Sequence, residues 1–150
     1  MGRTRFDKAP CPIARVTDLV GDGWTPVILR DALLGRTRFE DFQTALGVPR
    51  AVLARRLARL VEDGLMSRVL YEEHPPRHEY QLTDKGRAFV DVLAAMWRWG
   101  ADWLWPDGER PALMLANRET RREVRPVVVD EATGERLDAR KLRVVRAQGA

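Results

Sequence analysis

Arginine recurs between Gly47 and Leu65 at spacings that place it on one face of a helix. At 3.6 residues per turn, Arg55 and Arg59 lie opposite a side formed by Leu53 and Leu57. An arginine guanidinium can donate two parallel hydrogen bonds to a guanine edge in the major groove of DNA. The segment therefore predicts a helix that packs through its leucines and presents arginines to duplex DNA. The alternative is an ordinary helix with a solvated arginine face.

Individual residues of this arginine helix are predicted to have separate roles in DNA reading. Arg55 is expected to contact a guanine, and Arg50 lies at the N-terminal end, which enters the groove first. Ala51 and Val52 offer small apolar contacts to thymine methyl groups. Pro49 lies at or near the first helical position, where its missing N–H costs no hydrogen bond.

Phosphate contacts are predicted outside the arginine helix, because neutralisation of the DNA backbone supplies much of the affinity of such proteins. Arg38 precedes the neighbouring helix, and Arg77 and His78 lie in a predicted β-hairpin. Arg56, on the flank of the arginine helix, is expected to have a structural role by pairing with an acid at position 62 or 63.

The elements around the arginine helix form a helix-turn-helix pattern. A short helix over 39–46 precedes it, and 47–49 supplies a turn that contains glycine and proline. Two further helices are predicted upstream, over 13–20 and 24–34, each ended by glycine. Because the basic helix is the second of the closely joined pair, the order is that of a DNA-binding unit.

A hairpin and a long helix are predicted downstream. Strands over 65–71 and 77–82 form a wing, with Pro75 and Pro76 between them preventing a continuous ladder. A helix over 84–105 follows. The fold class is therefore mainly α with a small β-hairpin wing (α+β), a winged helix-turn-helix with a short C-terminal β-hairpin extension.

The chain is predicted to have three parts. A flexible N-terminal arm covers 1–10, the winged helix covers 11–105, and the extension covers 106–150. In the extension, the apolar runs PVVVD at 126–130 and KLRVV at 141–145 flank a TG turn and are typical of a small hairpin. The tryptophans of the long helix exceed what one small domain can bury, which favours a partner subunit over packing against the chain's own tail.

Composition and the absence of known motifs exclude several classes of protein. The net charge of +4 and the sequence pI near 9.8 are compatible with nucleic-acid binding. No run of 18 apolar residues and no signal-peptide core occur, so a cytoplasmic protein without membrane contact is expected. A single cysteine rules out an internal disulfide. Without a phosphate-binding loop, dinucleotide fingerprint or catalytic triad pattern, the sequence predicts no enzyme, no cofactor and no metal.

Three stretches occur in an order that matches a known family: CPIARVTDLVGDGWTPVILRDALLGRTRFEDFQTALGV, LARRLARLVEDGL and PPRHEYQLTDKG. They carry a Cys-Pro start, an RFxxF step, an RLxxLxxxGL helix and a YxLTxxG exit from the wing. With these motifs the chain resembles the HxlR-type winged-helix transcription regulators, which are related to the MarR group. The resemblance covers about Cys11 to Trp103.

This resemblance implies a bacterial-type regulator that binds double-stranded DNA as a homodimer, paired through its N-terminal helix and the long helix 84–105. A pseudo-palindromic operator is expected, with repression and activation both open. The resemblance also places Cys11 where some members sense electrophiles or oxidants, and a thiol at a helix N-terminus is acidified by the helix dipole. Inert burial of the thiol is the alternative.

Two further alternatives concern binding. Trp24, Met96 and Trp97 could line a cleft for a small-molecule effector in such a dimer, or could be plain core. A winged helix can also serve as a protein-interaction module without specific DNA readout. Salt-dependent binding to duplex DNA separates that module from a DNA-binding regulator.

Overall fold

The computed structural model describes residues 6–146, so residues 1–5 of the predicted arm and the last four residues lie outside the described residues. The chain divides into a first compact unit up to Leu93 and a second from Ala94 onward. The elements in chain order are α1 Pro12–Val20, α2 Thr25–Leu33, α3 Phe39–Leu46, α4 Arg50–Glu62, β1 Met66–Glu73, β2 Pro76–Leu82, α5 Asp84–Ala88, α6 Val90–Trp103 and a 3₁₀ turn Ala139–Lys141. The predicted class of mainly α with a small β-hairpin wing is confirmed.

The core of the first unit is formed by apolar side chains from α2, α3, α4 and the start of β1. The members with at most 2% exposure are Ile28, Leu29, Phe42, Val48, Leu53, Leu57, Leu60, Leu65 and Met66. Burying side chains of this size contributes about 1.5 to 3 kcal/mol each before the entropy cost of folding. Because α4 supplies its leucines to this core, its opposite face is left to solvent.

The helix-turn-helix formed by α3 and α4 has the predicted boundaries at its inner ends. α3 stops at Gly47, whose φ of 61° is left-handed, a conformation that glycine adopts without steric cost. Val48 is buried in the turn. Pro49 is the N-cap of α4, and its carbonyl accepts a hydrogen bond from the Leu53 N–H at 3.0 Å.

The wing is longer and more continuous than predicted. Strands β1 and β2 pair antiparallel from Met66 opposite Leu82 out to Glu73 opposite Pro76, with one irregularity between Leu70 and Glu72. The predicted break at the prolines is therefore wrong. Pro76 is the first residue of β2, a position where a proline can lie without disrupting the ladder.

A third backbone segment joins the wing. The Tyr80 N–H donates to the Thr37 carbonyl at 2.7 Å, and an antiparallel bridge pairs Arg38 with Glu79. The Thr37 hydroxyl also donates to a Glu79 carboxylate oxygen at 3.1 Å. The residues just before α3 are thus paired with β2, a contact that the sequence does not predict because so short a pairing has no alternating pattern.

The predicted long helix over 84–105 is divided and ends earlier. α5 stops at Phe89, whose N–H donates to the Gly86 carbonyl three residues back, and α6 runs from Val90 to Trp103. The Thr83 hydroxyl caps α5 by accepting from the Gly86 N–H at 3.1 Å. The prediction was wrong because helical periodicity continues through Phe89, whereas the hydrogen bond of the Phe89 N–H to a residue three positions back ends α5.

The second unit contains the C-terminal half of α6 and the extension. Its described backbone forms isolated bridges, Ala116 with Glu123 and Val129 with Arg136. The turn around Gly134 is present, but the predicted second run at 141–145 does not pair with the first. The reason is that the chain reverses tightly at 130–134, so the residue that meets Val129 is Arg136.

An ion-pair cluster lies at the end of α6 in the second unit. Asp102 receives hydrogen bonds from Arg98 at 2.5 Å and from Arg125 at 2.9 Å. The hydrogen bond from Arg98, followed by the positive charges of both arginines, holds the pKa of Asp102 below its ordinary value of 3.8.

Within residues 6–146, no helix has both the length and the apolar character needed to cross a membrane.

Candidate nucleic-acid interface

The outward face of α4 presents Arg55 to solvent. Leu53 and Leu57 are fully buried on the inner face of the helix, and Ala51 and Arg55 are exposed on the other. Within the described part of the chain, Arg55 has no hydrogen-bond or ion-pair partner. Its guanidinium is therefore available to an external acceptor. Val52, beside it on the first turn, is half-buried and packs against the core.

The other predicted base-contact arginines are held by intramolecular contacts. Arg59 is exposed, but its guanidinium pairs with Asp63 at 2.9 Å and with Glu62 at 3.6 Å. The guanidinium of Arg50 lies over the ring of Phe39, 4.6 Å from its centroid. Both residues remain on the solvent side of α4, so the structure brings them to the same surface as Arg55.

The predicted phosphate-contact residues lie on the segment before α3 and on the wing. The guanidinium of Arg38, at the N-cap of α3, lies 4.8 Å from the centroid of the Tyr71 ring on β1. Arg77 pairs with Glu72 at 3.3 Å across the wing. His78 is half-buried, and its Nδ1 lies 3.1 Å from Arg68 Nη2. Arg68 is an exposed wing cation that the sequence analysis did not select.

Arg56 turns away from solvent, and its predicted pairing is wrong. Its Nη1 lies 3.1 Å from Oδ2 of Asp22, in the turn before α2, and the acids at positions 62 and 63 pair with Arg59 instead. The acids lie three and four residues after Arg59, the spacing that meets on one helix face. Arg56 lies six and seven residues before these acids, which is outside that spacing.

Cys11 is the N-cap of α1 and is exposed. Its carbonyl accepts a hydrogen bond from the Arg15 N–H at 3.2 Å, and its side chain makes no capping hydrogen bond. The thiol is thus accessible within the described structure. A redox role for it stays a prediction.

The three residues predicted to line an effector cleft fall in different units. Trp24 packs against the core of the first unit. Met96 and Trp97 lie on α6 in the second unit, where Trp97 lines a pocket of about 230 Å³ together with Asp102 and Arg110. A cleft shared by all three stays a prediction.

Apolar side chains remain uncovered on α1 and α6. The exposed fraction is 75% for Ile13, 59% for Trp99 and 73% for Trp103. Neither helix has a residue buried within the described chain. Large apolar side chains left open in this way are typical of a surface that another protein covers.

Comparison with known proteins gives a consistent result. The sequence pattern that describes HxlR-like helix-turn-helix proteins matches residues 19–107, more than half of the chain. The uncharacterized HTH-type transcriptional regulator Rv3095 of Mycobacterium tuberculosis is 38% identical over 130 residues, a match that covers 87% of this chain and 82% of that protein.

Solved structures show the same likeness. The structure of PA1607, a candidate transcription factor, superposes with a TM-score of 0.85 at 41% identity and covers 96% of this chain and all of its own. The redox regulator HypR in its reduced form matches with a TM-score of 0.58 at 28% identity, over 61% of this chain and 92% of its own.

Proposed function

Because this chain belongs to the HxlR-like helix-turn-helix family and is similar to proteins named transcriptional regulators, we propose that it reads a pseudo-palindromic operator in double-stranded DNA as a homodimer. The observation that carries this proposal is the exposed guanidinium of Arg55 on α4, which has no partner among residues 6–146 and lies opposite the buried Leu53 and Leu57. A helix held by its apolar side and open on its cationic side suits insertion into a major groove.

Different residues of α4 would contact different bases. Arg55 donates a bidentate pair of hydrogen bonds to a guanine, and Ala51 and Val52 contact thymine methyl groups. Arg59 can leave its acidic partners at small cost, because exposed ion pairs contribute only about 0 to 1 kcal/mol. Arg50 can leave the Phe39 ring at similar cost, because an exposed cation–π contact contributes about 0.5 to 1 kcal/mol. Pro49, at the N-cap, leads this end of the helix into the groove.

Residues outside α4 would fix the protein on the DNA backbone. Arg38, at the N-terminus of α3, and Arg77, on the wing, carry positive charge suited to phosphate oxygens. His78 can add a hydrogen bond from its ring. These contacts supply affinity without reading sequence, so their loss weakens binding to all duplexes alike.

The homodimer would form through α1 and α6, whose apolar side chains are uncovered in a single chain. Two copies of α4 related by a two-fold axis would then meet half-sites about 34 Å apart, one turn of the double helix. The wing and α4 of each copy would contact the same face of the duplex.

Selection of binding sites from a randomised duplex library tests this function. We expect the wild-type protein to enrich a two-fold symmetric sequence, and its affinity to fall steeply with salt as counterions are displaced. Failure to bind any duplex at low salt would instead favour the protein-interaction module.

Arg55→Ala then tests the role of the residue that carries the proposal. The preference for the selected duplex over a scrambled one should fall about 5- to 150-fold, equivalent to the roughly 1 to 3 kcal/mol of one bidentate base contact. Arg87→Ala, on α5 outside this surface, is the control. Equal losses on both duplexes would show that Arg55 contacts only the backbone.

A response to a signal would use Cys11 or a bound small-molecule effector. Cys11 is accessible, and the similar protein HypR is named a redox regulator. Since the chain has one cysteine, a disulfide needs a second thiol from the partner subunit or from a small molecule. Mass measurement after diamide treatment tests this role, and an unmodified Cys11 would contradict it.

A further inference from the structure

We propose that the ion pair between Asp22 and Arg56 fixes the rotation of α4 about its own axis and thereby aims Arg55 at the bases. Asp22 and Arg56 are positioning residues in this inference, which rests on the proposed DNA-reading function. Arg56 is next to Arg55 in the chain, so their side chains leave α4 about 100° apart. Holding one of them therefore sets the direction of the other.

The carboxylate of Asp22 is a fixed anchor. One oxygen accepts hydrogen bonds from the backbone N–H groups of Trp24 and Thr25, both at 2.8 Å. The other accepts from the Thr25 hydroxyl at 2.6 Å. The side chain is only 5% exposed and lies at the positive end of α2. These contacts leave the carboxylate little freedom to follow a moving partner.

Arg56 connects α4 to this anchor. Its Nη1 lies 3.1 Å from Asp22 Oδ2, and its side chain is 20% exposed. The remaining inner contacts of α4, from Leu53, Leu57 and Leu60, are apolar and therefore not directional. An ion pair depends on distance and angle, so rotation of α4 that the leucines tolerate would break the contact with Asp22.

The same pair is a poor candidate for a purely stabilising role. The Nε of Arg56 is buried and finds no hydrogen-bond acceptor among the described residues. An unsatisfied buried donor opposes folding, because it loses its hydrogen bonds to water and gains no partner. Buried ion pairs can often be replaced by apolar side chains without loss of stability. A pair that is incompletely satisfied yet rigidly anchored fits a role in orientation better than one in stability.

The test compares sequence preference with stability in the full-length protein. The variants are Arg56→Met, Arg56→Lys, Asp22→Asn and the double variant Asp22→Asn/Arg56→Met. Asparagine keeps an oxygen for the two N–H groups of α2 but removes the charge. Arg87→Met is the matched control, since Arg87 forms an ion pair with Asp84 that is exposed on both sides. Each is assayed on the selected duplex, on a scrambled duplex and by thermal unfolding.

We expect Arg56→Met and Asp22→Asn each to reduce the preference for the selected duplex about tenfold, as for loss of a coupling between contacting residues. Binding to the scrambled duplex should change little. Each single variant leaves one charge of the pair buried without its partner, so the unfolding temperature should fall, and the double variant should recover much of that loss. The double variant should lose no more than either single variant, because both remove one contact. Arg56→Lys should retain part of the preference, and the control should retain all of it.

Several results would overturn the inference while leaving the proposed function intact. The first is that both single variants keep the wild-type preference for the selected duplex. The second is that the losses of preference add up in the double variant. The third is that affinity falls equally for the selected and scrambled duplexes. If Arg56→Met does not fold, Asp22→Asn and Arg56→Lys decide by the same comparison. If the wild-type protein selects no sequence, the proposed function fails and the positioning role fails with it.

Discussion

Arg55, Arg56 and Arg59 look alike in the sequence but have different surroundings in the structure. Periodicity placed Arg55 and Arg59 on the outward face, and both are exposed. It did not identify Asp22 as the partner of Arg56, because this pair joins residues 34 positions apart and distant pairing has no local signal. At the scale of single residues, the direction of a side chain could be predicted from the helix repeat, and its long-range partner could not.

At Gly86, helix propensity and steric contact predict opposite effects of alanine on the stability of the protein. Alanine in a helix is about 1 kcal/mol more favourable than glycine, so propensity alone predicts that Gly86→Ala stabilises the protein. A Cβ at this position would lie 2.1 Å from the backbone carbonyl oxygen of Leu65, which is a severe clash. We expect a loss of about 1 to 3 kcal/mol in the free energy of unfolding, as for an overpacked core. Urea denaturation measures it, and a gain would contradict the contact.

The elements were predictable where local signals agree and not where tertiary contacts decide. α3 has its predicted ends at Phe39 and Leu46, because its apolar repeat and the glycine after it point to the same limits. The length of the wing depends on the pairing of β1 with β2, and α5 ends where the Phe89 N–H bonds to a residue three positions back. The sequence pattern showed neither feature. The pairing of Thr37 and Arg38 with β2 likewise has no signal in the local sequence.

The wing and α4 should contribute differently to DNA binding. Arg77→Gln removes one exposed wing cation, so it should weaken binding to selected and scrambled duplexes by the same factor. The slope of log affinity against log salt should become shallower by about 0.9, the value for one phosphate contact. Fluorescence anisotropy at several salt concentrations measures both quantities. A selective loss on the selected duplex would instead assign base reading to the wing.

For the whole molecule, the uncovered apolar side chains of α1 and α6 are the feature that a single chain leaves unexplained. The sequence predicted a partner subunit from the number of tryptophans alone. The structure adds which of them are open, with Trp103 at 73% and Trp99 at 59% exposure. Which surfaces of two copies meet depends on shape, and composition carries no information about shape.

Trp103→Glu tests the assembly. A buried, unpaired carboxylate at the apolar interface of the proposed homodimer is costly. We therefore expect the variant to sediment as a monomer in analytical ultracentrifugation and the wild type to sediment as a dimer. Affinity for the selected duplex should fall about 100-fold or more, because the two half-sites are no longer bound together. Val144→Glu, at a side chain that is 97% exposed, is the control. A wild-type protein that binds the selected duplex as a monomer would contradict the homodimer.

The tie between the wing and the residues before α3 has a consequence for solubility. Along Glu79 and Tyr80, β2 carries β1 on one side and the backbone of Thr37 and Arg38 on the other. A strand bonded on both sides offers no open N–H or C=O groups there for edge-to-edge aggregation. Weakening this pairing would expose backbone groups of β2 to other molecules. Concentrated solutions of a Thr37→Val variant, which loses the hydroxyl hydrogen bond to Glu79, should therefore become turbid sooner than those of the parent protein.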